Sequence, residues 1–363
     1  MLRPSDFQAL VGGNGRGWTA TLARGLLRLA EIPYCAAVTW RNRRYDTHRA
    51  AVHRVDVPVV SVGNLTLGGT GKTPFVAWLG EWFRTRGVAV AVVSRGYGAR
   101  GTAAAPSPND ECLELSASLP GVPHWQDRDR LRAAHAAAAD RACRAILLDD
   151  GFQHRRLARD LDIVLLDALE PFGYRHVFPR GMLREPLEGL SRAQAIVLTR
   201  ADLVSVERRQ SIRQEALRLA PSAVWLEARH APRALRSCHG REEPIECLAA
   251  RPVAAFCGIG NPEGFRRTLD SCNYQVTEFR EFPDHFVFPA RVIDELDRWA
   301  RALPVDAVLC THKDLVKVRR EQLGDRPLWA VRIGLEILEG EDRLTALLER
   351  LTTTEARRHG DEK

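Results

Sequence analysis

The feature that most constrains this chain is an eight-residue loop, Thr66-Leu67-Gly68-Gly69-Thr70-Gly71-Lys72-Thr73, set between an apolar run and a helix-forming segment. Glycines at 68, 69 and 71 leave the backbone free to turn its N–H groups inward around phosphate oxygens. The lysine after them can reach β- and γ-phosphates, and Thr73 offers a hydroxyl to Mg2+. The strict P-loop pattern has Gly where this chain has Thr66, so the loop is a variant with an intact G-G-x-G-K-T core. Such a loop needs a buried strand to deliver it and a helix to receive it, which implies an α/β fold.

The surrounding pattern agrees. Short, largely apolar runs over 57–62, 88–94, 144–148, 162–167 and 195–199 read as strands buried on both faces, with a helix from Pro74 to about Arg86. Apolar strands alternating with helices indicate a parallel sheet. A second series begins near Pro252, with strands over 253–257, 274–279, 307–310 and 328–333 and helices starting at Pro262 and Pro289. At 363 residues, two domains are expected. The fold class is therefore α/β: a P-loop NTPase-type parallel sheet domain over 56–228 and a second, smaller α/β domain over 252–351. Residues 229–251, rich in charge, Pro and His, read as a linker, and 352–363 as a polar, frayed tail.

Residues 1–55 differ from the rest. The chain has 53 basic against 46 acidic side chains, a formal +7, and between Arg16 and Arg54 eight arginines face only Glu31 and Asp46. Leu22, Leu26, Leu27, Leu29 and Ala30 recur at near-helical spacing, interleaved with Arg24 and Arg28. Trp40, Arg41, Arg43, Arg44 and Tyr45 follow. A membrane span needs about 20 apolar residues, which the arginines, Glu31 and Pro33 do not allow. A basic amphipathic helix lying on an anionic bilayer surface fits the pattern, and so does a basic surface helix packed on the domain. No secretory signal is expected, because residues 1–17 lack an apolar core. The eight scattered cysteines read as reduced thiols, and Cys238-His239 with Cys247 lacks a fourth ligand for a zinc site.

Ala145-Ile146-Leu147-Leu148-Asp149-Asp150 is an apolar run ending in acids, the arrangement that holds Mg2+ opposite a P-loop. If the strand continues, the two carboxylates point to opposite sides, one toward the metal and one toward backbone or a basic partner. Asp127-Arg128-Asp129-Arg130 can present guanidiniums to an anionic substrate or form a solvated helix start. Thr199-Arg200-Ala201-Asp202 sits where GTPases read guanine, but Arg replaces the usual Lys.

In chain order, 59–74 (VVSVGNLTLGGTGKTP), 94–98 (SRGYG), Asp110-Glu111, Asp127–Arg130, 148–159 (LDDGFQHRRLAR), 179–187 (PRGMLREPL), 256–262 (FCGIGNP), 282–285 (FPDH) and 311–314 (THKD) resemble one family, the tetraacyldisaccharide 4'-kinases, or lipid A 4'-kinases. The resemblance implies ATP-dependent phosphorylation of the 4'-hydroxyl of a lipid A disaccharide 1-phosphate precursor. It also implies two hinged domains and a peripheral position at the cytoplasmic face of the bacterial inner membrane. By the same resemblance, the loop 66–73 binds ATP with Lys72 catalytic, and Thr73 and Asp149 hold Mg2+ with Glu111 or Asp150 assisting. Asp110 takes the proton of the attacking hydroxyl and His285 orients it. Asn64, Arg128, Arg130, His154 and Arg184 contact the disaccharide. Two departures stand out: Asn109 and Cys112 flank the acids where the family has Gly and Pro, and His312 replaces a Glu. No nucleic acid or obligate protein partner is expected. The alternative is a regulatory P-loop GTPase or metallochaperone, although Leu67 occupies the position where the dimerising ATPases of that group carry Lys.

Overall fold

The computed structural model describes residues 4–13, 17–96, 115–116, 118–284 and 286–360. Contacts divide them into two compact units. The first holds the residues up to 96, 121–229 and 337–360; the second holds those of 115–120 and 230–336.

In the first unit the strands are β1 (Val59–Asn64), β2 (Val90–Ser94), β3 (His124–Gln126), β4 (Ala145–Asp149), β5 (Leu161–Asp167), β6 (Ala195–Thr199) and β7 (Val224–Arg236), which runs on into the second unit. They lie in the order β7-β6-β5-β1-β4-β2-β3, and every pair is parallel. All six residues of β1 are buried, which is why its sequence carries no polar alternation. Alternate strand residues feed separate clusters. Val164, Leu166, Ile196 and Trp225 pack with Leu65 and Phe152, while Val59, Val93, Ile146 and Leu148 pack with Leu131 and Ala134. At about 1.5–3 kcal/mol per buried aliphatic side chain, these clusters make the sheet a rigid platform. The P-loop follows β1, flanked by β4 and β5, so it opens at the C-terminal ends of the strands, where α/β sheets bind ligands.

Ahead of the sheet come a short helix, Pro4–Val11, and a long one, Trp18–Asp46, which continues through Pro33. Trp18 is 78% exposed and Trp40 64%, and Leu22, Leu26, Leu29 and Ile32 are exposed too. Among the described residues, no helix is long and apolar enough to cross a membrane.

The second unit carries β9 (Pro252–Cys257), β10 (Gln275–Glu281), β11 (Ala307–Thr311) and most of β12 (Arg326–Glu339), parallel in the order β10-β9-β11-β12. Helices Pro262–Ser271 and Ala290–Arg301 pack their apolar stripes, Phe265 with Leu269 and Leu296 with Trp299, into its two clusters.

Three expectations need correction. Residues 229–251 are not a loose linker. Strand β7 persists to Arg236, β8 (Glu242–Glu243) pairs back on it, and Leu235 and Leu248 are buried in the second unit's core. Their charges sit on the solvated positions of a paired strand and hide the pattern. Nor does the second unit run to 351, since residues from 337 on belong to the first. Gly340 turns at φ +87, where a side chain would strike the Trp225 carbonyl, and starts the helix Glu341–Gly360. That helix buries Leu344 and Leu348 completely and receives a hydrogen bond from Trp82 Nε1 on Thr345 Oγ1 (3.3 Å). The expected frayed tail is helical as far as Gly360.

Candidate active site

The P-loop is held from three directions. Asn64, the last residue of β1, donates from Nδ2 to Thr70 Oγ1 (3.0 Å), Thr199 Oγ1 on β6 donates to the Thr70 carbonyl (2.9 Å), and Leu67 N donates to Met182 O (2.7 Å). Gly71 adopts the left-handed conformation, φ 81, and starts the helix Lys72–Thr85 two residues earlier than Pro74 suggested. At Gly68 and Gly69, among the described residues, no atom lies within 4 Å of where a Cβ would stand. Open space beside two exposed glycine backbones at a helix N-terminus suits a polyphosphate. Asn64, placed by the resemblance among the substrate residues, is fully buried and holds the loop through its amide nitrogen.

Strand β4 ends at Asp149, and Asp150 turns away at φ 53. The strand therefore does not continue through both acids, and the expected opposite-sides geometry gives way to a turn. Gly63 and Gly151 let that turn lie flat on β1: a Cβ on Gly63 would come within 2.6 Å of Phe152 Cβ, and one on Gly151 within 2.7 Å of Ser61 Oγ. Asp150 then becomes the centre of a cationic cluster. Arg184 Nη1 bonds both its carboxylate oxygens at 2.8 Å, Lys72 Nζ lies 3.5 Å away, and Arg130 Nη1 donates to its carbonyl at 2.6 Å. Burial works to raise the Asp150 carboxyl, but Lys72, Arg184 and Arg130 together outweigh it and hold it below its ordinary range.

The structure thus brings together Lys72, Asp150, Arg130 and Arg184, with Asp149 adjacent. It separates the two arginines of the DRDR stretch. Asp129 caps the helix Arg130–Ala139 through Leu131 N (3.1 Å), which leaves Arg128 exposed and buries Arg130 against Asp150. His154 lies near Arg130. Burial, then Arg130 and Arg156, push its imidazole down to about 4, so it is neutral at pH 7. Thr73 and Asp149 offer a hydroxyl and a carboxylate, the oxygen donors that suit Mg2+. Asp110, Glu111 and His285 lie outside the described residues.

Sequence pattern alone missed a second network behind this cluster. Glu185 is fully buried and accepts from Arg192 Nη2 on both oxygens (2.9 Å each), from Gln153 Nε2 (3.0 Å) and from Asn42 Nδ2 on the long N-terminal helix (2.7 Å). Arg155 donates to Asn42 O (3.0 Å) and Asp46 Oδ1 (2.6 Å), and Glu31 accepts from Val177 N (2.8 Å) and pairs with His176 (3.1 Å). Glu31, Cys35, Val38, Asn42 and Asp46 follow one another at spacings of four, three, four and four, a single helix face. The signal was present in GFQHRR and REPL, but a carboxylate bound by donors from three distant segments has no local signature.

In the second unit the FCGIGNP, FPDH and THKD stretches meet. Asp314, fully buried, accepts from Thr311 Oγ1 (2.6 Å) and Gly258 N (3.0 Å), and a Cβ on Gly258 would touch Phe286 and the Pro283 carbonyl. Burial raises the Asp314 carboxyl against the lowering effect of those two donors. Burial, then Arg236 and Arg332, depress His312 to about 4. Cys238, His239 and Glu321 cluster at the surface, but His239 and Glu321 already pair at 2.6 Å, Cys247 is not in the group and, among the described residues, no fourth ligand joins.

Against known proteins, the family model described as Tetraacyldisaccharide-1-P 4'-kinase matches residues 23–353. The chain is 41% identical over 360 residues to the tetraacyldisaccharide 4'-kinase of Anaeromyxobacter dehalogenans (strain 2CP-C), covering 95% of each. It is 39% identical over 307 residues to that of Pseudomonas entomophila (strain L48), covering 82% of this chain and 84% of the other. The crystal structure of LpxK from Aquifex aeolicus in complex with ATP superposes with a TM-score of 0.72 at 28% identity, covering 91% of this chain and 99% of that one. These matches set aside the regulatory-NTPase alternative. Arg200 is tied to Asp167 and to the Gly69 carbonyl (3.1 Å). A variant P-loop, an acid-centred cationic cluster and kinase relatives matched almost end to end agree: the chain belongs to the tetraacyldisaccharide 4'-kinase family.

Proposed function

We infer that the chain transfers the γ-phosphoryl of ATP to the 4'-hydroxyl of a tetraacyl disaccharide 1-phosphate in lipid A biosynthesis. The observation that carries this is the convergence of Lys72, Arg130 and Arg184 on Asp150 beside an open glycine loop. Phosphoryl transfer depends mostly on positioning and charge stabilisation, and three cations gathered at one aspartate, two on its carboxylate and Arg130 on its carbonyl, supply both.

In this reading the amides of 68–71 and Lys72 bind the β- and γ-phosphates. Thr73 and Asp149, with Glu111, would hold Mg2+, which neutralises phosphate charge when bound. Arg130 and Arg184 face the anionic disaccharide or the transferring group, and neutral His154 donates or accepts a hydrogen bond there. Asp110 takes the proton as the sugar oxygen bonds to phosphorus and the bridging P–O bond of ATP breaks, releasing ADP; His285 orients the hydroxyl. The exposed Trp18, Leu22, Leu26 and Leu29, with Arg41, Arg43 and Arg44 beyond them, dock the enzyme on the anionic inner-membrane surface that holds its substrate.

Purified protein given ATP, Mg2+ and tetraacyldisaccharide 1-phosphate in mixed micelles should form the 4'-phosphorylated product. ATP turnover with no new phosphomonoester on the sugar would refute the assignment. Replacing Arg41, Arg43 and Arg44 by Ala should lower co-sedimentation with anionic vesicles by at least about tenfold, since each Arg near such a surface is worth about 1 kcal/mol before screening.

A further inference from the structure

We propose that Asn42 and Glu185 are positioning residues that link the seating of the N-terminal helix to the Asp150–Arg184 pair, so that docking on a bilayer organises the catalytic charges. The proposal rests on the membrane-docked kinase reading above.

The two ends of that pair sit on different segments, and the helix grips both. Asp150 opens the turn that carries Gln153 and Arg155. Gln153 Nε2 bridges Glu185 and the Asn64 carbonyl (2.9 Å), and Arg155 is bonded to Asn42 and Asp46. Arg184 precedes Glu185, which Asn42 holds directly, and the Arg184 carbonyl accepts from Tyr34 Oη (3.4 Å). The same segment is stitched to the phosphate loop: Arg184 N donates to Leu65 O (2.7 Å) and Leu67 N to Met182 O (2.7 Å). A shift of the last helical turns therefore moves the Asp150 turn, the Arg184 segment and the start of the P-loop together.

Glu185 suits such a relay because it cannot be rehydrated in place. It is 0% exposed, and even a Cβ on Gly189 would come within 2.8 Å of its Oε2. A buried carboxylate that loses one donor draws harder on the others, so the loss of Asn42 would be felt at Gln153 and Arg192 rather than absorbed by water. Meanwhile the opposite side of the helix, from Trp18 to Ile32, offers apolar surface for the bilayer. One helix thus carries a lipid-facing stripe and a seam bonded to both halves of an electrostatic pair.

Asn42→Leu removes the donor while leaving Glu185 bonded to Arg192 and Gln153, so the fold should stand. With lipid substrate in mixed micelles, kcat should fall about 10- to 100-fold, the scale of a small misplacement of a charged group. ATP KM and vesicle co-sedimentation should stay unchanged, and Asn42→Gln should recover part of the loss. Independently of turnover, anionic vesicles should slow hydrogen exchange at the Leu67 and Arg184 amides of the wild type several-fold and leave Asn42→Leu unaffected. Equal slowing in both proteins, or a variant that loses only vesicle binding, would overturn the relay. If the wild type makes no 4'-phosphate, the functional reading fails, and the exchange experiment still decides whether the helix talks to the loop.

Discussion

Two aspartates, one in each unit, sit just past the end of a parallel strand, yet they are held in opposite ways. Asp150 is gripped by charges, with Lys72, Arg184 and Arg130 around it and its carboxyl held below the ordinary range. Asp314 is gripped by a hydroxyl and a peptide N–H, with its carboxyl raised by burial. A carboxylate amid cations is a device for aiming cations. A carboxyl amid neutral donors is a staple. The difference separates the acid whose charge matters from the one whose shape matters.

The largest expected effect is on the charged side. Lys72→Ala should lower kcat by about 10²–10³-fold, as the loss of a single preorganised donor does elsewhere, with the protein still folded by circular dichroism. Asp150→Asn should cost about 10²-fold in kcat, because Arg184 and Lys72 lose the carboxylate that aims them and can turn toward solvent. If Asp150→Asn instead melts the protein without touching kcat, the two aspartates are the same kind of device.

On the staple side, Asp314→Ala should leave the Gly258 N–H without its acceptor and cost about 1–3 kcal/mol of stability. Asp314→Asn, which keeps an acceptor oxygen in place, should cost less than about 1 kcal/mol, and urea unfolding of the two variants measures the gap. The smallest effect is in pH dependence, and its sign differs between the acids. The Asp150 carboxyl is depressed in the fold, so its contribution is present above the ordinary carboxylate range and lost as pH falls through its folded value. Asp314 is raised, so its ionisation opposes folding. The stability advantage of wild type over Asp314→Asn should shrink as pH rises through its folded value, while that over Asp150→Asn grows. Parallel pH–stability curves for both variants would erase the distinction.

Much of this was legible in the residues. Strands buried on both faces, such as β1 and β6, carry their own signal, and a G-G-x-G-K-T loop has few other uses. What was not legible shares one cause: dependence on a partner far away in the chain. Residues 352–363 looked like a polar tail and 341–351 like the end of the second domain, because the packing of Leu344 and Leu348 in the first unit does not show in the sequence. Residues 229–251 looked like a linker because a paired strand can carry charge on its solvated positions. Asp150 gave no hint that it would leave the strand, since a left-handed turn at a non-glycine residue is set by what packs around it. Glu185 lay within the REPL stretch, but its role did not show there, for two of its donors come from residues 42 and 153.

The close approach of the DDGFQ turn to β1 bears on how this protein tolerates change. Gly63 and Gly151 touch neither phosphate nor sugar in the proposed chemistry, yet neither has room for a methyl group: one would collide with the Phe152 backbone and Cβ, the other with Leu148 and Ser61. In a survey of all single substitutions scored by growth, both positions should be as intolerant as Lys72, even to alanine. A catalytic map drawn from such a survey would include two residues with no chemistry, and the lineage that keeps them is bound to a backbone contact rather than to a reaction. Separating the kinds of constraint takes protein yield alongside turnover, because the glycine variants should vanish from the soluble fraction while Lys72→Ala accumulates there inactive.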